Sequence, residues 1–396
     1  MSTRAGETLA AISGIGMSEV ARPSQKSALT LTVDACLQAI EDAGLDRSRI
    51  DGISTYPGII PDRSGLSEVG VHDIRMALGL QTDWYSGAKE TAGQLGAVFN
   101  AIAAIAAGFA SHVLVFRTIT EASARKAQPG ATAIGGGAAR VGGVHEWTTP
   151  FRALSAANWF ALYAQRHFHE YGTRPEQMAQ IALNARRNAA LNPAALYREP
   201  LDMAQYMASR MISTPLRLYD CDAPVDASVA VVVSRVEEAR NLRNPLIRVE
   251  AVGSALHSRD TWYRPQDLTR CADAADMMWS RTSLKPRDVD VAQLYDGFSI
   301  HTMLWLEALG FCARGESGPF IEGGQRIALD GELPLNTSGG QLSAGRLHGL
   351  GFLHEACVQL WKRGDLRQVK GDPRVAVASA GYGGGFAGCM LVARHD

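Results

Sequence analysis

The sequence predicts an α/β protein built from two duplicated units, and three observations carry that expectation. Apolar helical stretches of roughly 10–20 residues alternate with short, continuously apolar strands, the pattern of parallel βαβ sheets covered on both faces. A helix–loop–strand unit recurs at the same spacing in the two halves of the chain. At 396 residues, 46% hydrophobic and 20% charged, the chain can bury a large core and is too apolar for disorder.

In the first copy a helical pattern runs from Ala35 to Leu45; Ile50-Asp51 and the apolar Gly52-Ile53 follow as loop and strand. In the second, a pattern from Ala275 to Leu284 is followed at the same offsets by Val289-Asp290 and Val291. Gly93-Gln-Leu95 opens an apolar helix leading to a strand at 112–116, and Gly345-Arg-Leu347 opens another leading to a strand at 374–379. The apolar run 95–116 is interrupted by Asn100, Gly108, Ser111 and His112, so it reads as a buried helix and strand, with no membrane insertion.

Residues from about 120 to 225 break the pattern, with Gly and Ala dominating 127–143 and helical sequence over 156–210. A loop/cap insertion over the sheet edge is expected there, where open α/β folds place ligands; His167 and His169 within it receive no role. A strand over 225–234 closes the first half. The expected halves are 1–245 and 246–396.

Charge excludes some functions. Lys+Arg (39) and Asp+Glu (40) leave a formal net charge of -1, without the basic footprint of a nucleic-acid or anionic-membrane binder. Six cysteines lie scattered, with no Cys-x-x-Cys pair and no zinc spacing, so this chain is expected to hold no metal and to sit in a reducing, cytoplasmic setting. The polar start, Met1 to Glu7, lacks the character of a secretory signal.

Three segments carry candidate chemistry. Gly381-Tyr-Gly-Gly-Gly-Phe-Ala-Gly388 contains Gly-x-Gly-x-x-Gly, but a dinucleotide fingerprint must follow a first strand and open a βαβ unit, and here it closes the chain. Gly381, Gly383 and Gly384 can instead bring backbone N–H groups to an anion. Asn336-Thr-Ser-Gly-Gly340 precedes Gly345-Arg-Leu-His-Gly349, and Leu294-Tyr-Asp-Gly-Phe-Ser299 places a phenol and a carboxylate at a strand end. All three fall at corresponding ends of the duplicated framework.

Together with Glu307-Ala-Leu-Gly-Phe, these segments resemble the thiolase superfamily, in its sterol-carrier-protein thiolase and lipid-transfer-protein branch, over nearly the whole chain. The resemblance implies a duplicated, five-layer αβαβα fold, a homodimer and acyl-CoA substrates. The departures point to the reaction. Glu90 stands where such thiolases carry the nucleophilic cysteine, Tyr295 and Arg346 replace two histidines, and Tyr382 stands where a last cysteine is usual. Acyl exchange needs a low-pKa sulfur. Retro-aldol cleavage of a β-hydroxyacyl-CoA needs a base for the hydroxyl proton and donors for the thioester enolate.

The chain is similar to thiolase-like aldolases of steroid side-chain breakdown. That likeness implies release of a ketone plus propionyl-CoA or acetyl-CoA, no tightly bound cofactor, and a small zinc-ribbon/OB-fold partner in a heterotetramer. Tyr295 is expected as general acid or base. An unperturbed phenol near pKa 10 is a poor base at neutral pH, so Arg346 is expected to stabilise its phenolate. Tyr382 is expected as a proton donor to the enolate carbon or as a wall. Asn336, His348 and the Gly381 turn are expected to bind the enolate oxygen, with Asp296 and Gly340 near substrate. Glu90 reads equally as a cap of a helix N-terminus or as a catalytic carboxylate. His354 is expected to pack. The alternatives are a thiolase or acyltransferase using another nucleophile, and a non-catalytic lipid-binding subunit.

Overall fold

Strands rich in valine and helices rich in alanine are separated along this sequence, and the fold keeps them in alternating layers. The computed structural model describes residues 6–57, 65–87, 93–127, 145–256, 269–381 and 386–396. The first strands and helices are β1 (Ala10–Met17), α1 (Ala28–Ala43), β2 (Gly52–Thr55), α2 (Val71–Leu78), β3 (Trp84–Gly87), α3 (Gly96–Ala106) and β4 (His112–Thr120). Then come α4 (Glu121–Ala127), α5 (His145–Thr148), α6 (Ala156–Tyr171), α7 (Pro175–Ala190) and α8 (Met203–Ala208), with a small hairpin of β5 (Met211–Ser213) and β6 (Leu216–Arg217). The chain returns through β7 (Asp226–Arg235), α9 (Val236–Ala239), β8 (Leu246–Leu256), α10 (Thr269–Ser280) and β9 (Val291–Gln293). It ends with α11 (Ser299–Ala308), α12 (Ser317–Ile321), α13 (His348–Leu360), β10 (Val375–Gly381) and β11 (Phe386–His395).

Nine strands form one sheet in the order β3-β2-β4-β7-β1-β8-β11-β10-β9. Outward from the β1–β8 seam, joined at Ala11–Arg248 and Ile12–Ile247, the two flanks repeat one plan. The expectation of parallel sheets needs correction. Only β2 with β3 and β4, and β9 with β10, run parallel; β7 and β11 are antiparallel to both neighbours. The reason lies in the connections. β11 begins at Phe386, too soon after Gly381 ends β10 for a crossover to a parallel neighbour, and β7 returns through the long 121–225 segment instead of a crossover helix.

The outer helix α1 covers β1, β7 and β4, and α10 covers β8 and β11. Between the flanks, α13 touches β9 and β10 on one side and β7 and β1 on the other, with α3 beside it on β2, β4 and β7. Helix, strand, helix, strand, helix is the five-layer arrangement. Every residue of β4 is buried, as a strand covered on both faces requires. Among the described residues no helix is long and apolar enough to cross a membrane.

Both repeat helices begin earlier than their apolar periodicity indicates. α1 starts at Ala28, where Ser27 Oγ accepts from Thr30 N at 3.1 Å, and α10 starts at Thr269. The Ser27 cap was the readable signal, hidden because Thr30, Thr32 and Val33 blur the helical pattern. α6 and α7 of the insertion pack on α11, and α7 also on α12 and the 340–344 segment.

Candidate active site

The site is assembled where β9 ends and the 336–348 segment crosses it. Asn336, at φ 48°, extends the β9 ladder with its side chain: its N–H donates to Ala292 O, its Oδ1 accepts from Leu294 N at 2.7 Å, and its Nδ2 donates to Leu294 O at 2.9 Å. An amide side chain mimics a peptide unit and asparagine tolerates the left-handed region, which suits it to this position. One Nδ2 proton remains for another acceptor.

The insertion clamps this segment from behind. Asn184, Asn188 and Asn192 follow one another at four-residue spacing, on one face of α7 and its continuation. Asn184 Nδ2 donates to Leu335 O at 3.0 Å. Asn188 Nδ2 donates to Leu335 O at 2.9 Å and Asn336 O at 3.2 Å, and Asn192 Nδ2 to Ser338 O at 2.9 Å. Gly339 lies so close to α7 that an added Cβ would stand 2.6 Å from Ala189 Cβ. Sequence reasoning passed over this ladder, although its spacing was visible.

Tyr295 is held by its own backbone: its N–H donates to Ser379 Oγ at 3.0 Å, and its carbonyl accepts from Thr302 Oγ1 at 3.3 Å. Its ring lies beside His301 and Phe352 and folds over Gly297, where a Cβ would sit 2.8 Å from the phenol oxygen. Both Arg117 and Arg346 are within electrostatic reach of this phenol. Arg346 is committed elsewhere: Nε donates to Asp222 Oδ2 at 2.7 Å, and its terminal nitrogens pair with Asp222 and Glu121. Burial alone would lower its pKa, and the two carboxylates reverse that and hold it raised.

Arg117 was missed, and its signal was a lone cation inside the apolar run of β4. It is 3% exposed, and Nη1 donates to Tyr56 O at 2.6 Å. Nη2 faces His348 Nδ1 at 3.1 Å. Burial lowers its pKa to about 10. His348, at φ 56°, donates its backbone N–H to Gln341 Oε1 at 3.0 Å. Burial, then the nearby Arg117 and Arg346 charges, push its pKa well below the usual value, so the imidazole is neutral.

Gly340 opens a π-helical turn, Gly340–Ala344, and lines a cavity of about 210 Å3 together with Gln341, Leu347, His348 and Phe352. His354, expected to pack, also lines it, with Nδ1 lacking a partner among the described residues and a pKa brought down to about 4 by burial. Asp296 does not border the cavity among the described lining residues. The Gly381 amide is likewise engaged: its N–H donates to Gln94 Oε1 at 3.1 Å, and its carbonyl accepts from Trp305 Nε1 at 3.0 Å. An oxyanion donor at that turn is therefore not Gly381 itself. Glu90, Tyr382, Gly383 and Gly384 lie outside the described residues.

No cysteine is among the described cavity-lining residues. Cys221 pairs through its backbone with Phe298, just after Tyr295, and its thiol donates to Arg217 O. Burial, then Asp220 and Asp222, push its pKa up. Among the described residues no group of three or more His, Cys, Asp or Glu side chains is arranged to hold a metal ion.

A family profile described as "Thiolase C-terminal domain-like" matches residues 253–392. A steroid side-chain-cleaving aldolase of Thermomonospora curvata is 33% identical over 390 residues, 96% of this chain and 97% of that protein. A 17-hydroxy-3-oxo-4-pregnene-20-carboxyl-CoA lyase of Mycobacterium tuberculosis is 32% identical, covering 96% and 98%. The solved structure of an Ltp2-ChsH2(DUF35) aldolase superposes with a TM-score of 0.86 at 30% identity, covering 98% of each chain. Fold, site segments and near full-length similarity agree: the chain belongs to the thiolase superfamily, in the branch that joins sterol-carrier-protein thiolases to the steroid side-chain-cleaving aldolases.

Proposed function

We propose that the protein is a carbon–carbon lyase, a thiolase-fold aldolase cleaving a β-hydroxyacyl-CoA with a steroid side chain to a ketone plus propionyl-CoA or acetyl-CoA. The carrying observation is end-to-end alignment with two proteins named for such cleavage, at 33% and 32% identity. The chemistry of the site supports it. Tyr295 takes the β-hydroxyl proton as the Cα–Cβ bond breaks, and the freed electron pair moves into the thioester as an enolate. The β-carbon leaves as a ketone, the enolate carbon takes a proton from water, and Tyr295 returns its own to the hydroxide so formed, so nothing remains on the enzyme. Proton transfer of this kind contributes roughly 10²–10⁴-fold. A neutral His348 donating to the enolate oxygen, with the free Nδ2 proton of Asn336 as further support, contributes about 10²–10³-fold.

Acyl exchange would need a thiolate. Burial instead pushes up the thiols of Cys36, Cys221, Cys312, Cys357 and Cys389. CoA enters only as part of the substrate. We assign the chain two halves, 1–245 and 246–396, in a homodimer that binds a small zinc-ribbon/OB-fold partner of the DUF35 kind to form a heterotetramer. The DUF35 name in a solved relative supports that partner.

The test is cleavage of a tertiary β-hydroxyacyl-CoA by the chain co-purified with its partner, with Tyr295→Phe alongside wild type. Expected is ketone release by wild type and a fall in kcat of at least about 100-fold in the variant. Full activity in Tyr295→Phe removes Tyr295 from the mechanism.

A further inference from the structure

We infer that Gln341 is a catalytic donor to the enolate oxygen beside His348, and that Arg117 is the positioning residue which gives that imidazole its donor face; this rests on the lyase reading above. Gln341 and His348 could each present either hydrogen-bonding polarity to the cavity they both line. Each is turned by a neighbour that can only donate. The His348 backbone N–H binds Gln341 Oε1, so the Nε2 end of that amide points away from it. Gln341 is 2% exposed, and its Nε2 is buried within reach of the Asp296 carboxyl but completes no hydrogen bond among the described residues. An unmade hydrogen bond at a buried amide costs about 1–3 kcal/mol, which a ligand oxygen would recover.

Arg117 settles the imidazole. A guanidinium has no acceptor, so His348 Nδ1 must accept from Nη2, and the one proton of the neutral ring sits on Nε2. The cation makes no ion pair among the described residues, since Glu121, the carboxylate within its electrostatic reach, is bound by Arg346, and its Nε is buried and unpartnered. A buried charge without a counter-ion is costly unless the site takes a negative ligand. Two neutral N–H donors in front of an unpaired cation fit an oxygen that gains negative charge during reaction, the thioester enolate.

The test measures binding of CoA and of carboxymethyl-dethia-CoA, whose carboxylate replaces the thioester, to the full chain by calorimetry, with kcat and KM for cleavage. Expected for Gln341→Leu and for Gln341→Glu, which keeps the side-chain shape, is at least tenfold weaker carboxylate binding with CoA binding unchanged. Their kcat should fall about 10²–10³-fold with KM nearly constant. Arg117→Met should show the same split, and Arg117→Lys, still able to donate to Nδ1, should recover most of it. Equal weakening of both ligands, or none, overturns the inference while the lyase reading stands. A wild type that binds neither ligand overturns both.

Discussion

Asp296 shows how a residue in a catalytic-looking segment can serve the fold instead. It is 0% exposed, its Oδ1 accepts from Gln341 N at 2.8 Å, and a Cβ on Gly340 would stand 1.9 Å from its Oδ2. Its task is to fix the backbone from which Gln341 projects. Burial, opposed by the Gln341 amide and joined by the Asp222 charge, pushes its pKa up to about 7. The folded value lies above the unfolded one, so the stabilisation is complete below about pH 4 and is lost as pH rises toward 7. Asp296→Asn should flatten that loss, which amounts to about 4 kcal/mol at most. Urea unfolding at pH 4, 5.5 and 8 reads it; an equally steep dependence in the variant would assign the titration to another group. At this scale the sequence made Tyr295 and Asn336 legible because both sit in segments with a recognisable order. Arg117 escaped because a single polar residue among apolar neighbours has no spacing to announce it, Gln341 because it follows a Gly- and Ser-rich stretch that reads as a turn, and the partners of Arg346 lie at Glu121 and Asp222, distant in sequence.

Among elements, the duplication has a packing basis that periodicity alone did not expose. The first strand of each flank carries glycine under its covering helix. A Cβ on Gly16 would meet Ala35 O at 2.2 Å beneath α1, and one on Gly253 would meet Ala274 O at 1.8 Å beneath α10. Both clashes are with backbone, which cannot swing aside as a side chain can. Gly253→Ala should therefore destabilise by about 1–3 kcal/mol or more, seen as a lowered Tm. A variant as stable as wild type would mean that α10 rides higher over β8 than described. The asparagine ladder on α7 gives a second expectation. Asn188→Leu removes one of two donors from the buried carbonyls of Leu335 and Asn336, which keep Asn184 Nδ2 and Gly339 N, at a cost of about 0.5–1.5 kcal/mol, and loosens the loop that presents Gly340 and Gln341. Cleavage should fall more than stability explains. Unchanged kcat with lowered Tm would confine the ladder to a structural role. Strands β2, β4, β7, β9 and β10 were legible from apolar runs, whereas β1, β8 and β11 were not, because glycine and polar residues interrupt or precede them.

For the molecule as a whole, the sequence disclosed two like halves and an insertion but not strand direction, since antiparallel β7 and β11 are as continuously buried as parallel strands. Their direction follows from how the chain returns to the sheet. The folded sheet brings α13 from one half against β7 and β1 of the other, and so sets His348 of α13 against Arg117 of β4. The chemistry available there consists of a neutral imidazole and an amide that line the cavity, backed by the Arg117 cation and the Tyr295 phenol, with no thiol among the described cavity-lining residues. Such a set can stabilise an enolate but has no sulfur to carry an acyl group. The most direct measurement follows an isotope at the thioester carbonyl carbon of a tertiary β-hydroxyacyl-CoA through one turnover, with intact-protein mass spectrometry alongside product analysis. Expected is all of the label in a short-chain acyl-CoA, a ketone in equal amount, and a protein of unchanged mass. Label retained on the protein as a thioester, with no ketone released, would contradict the account.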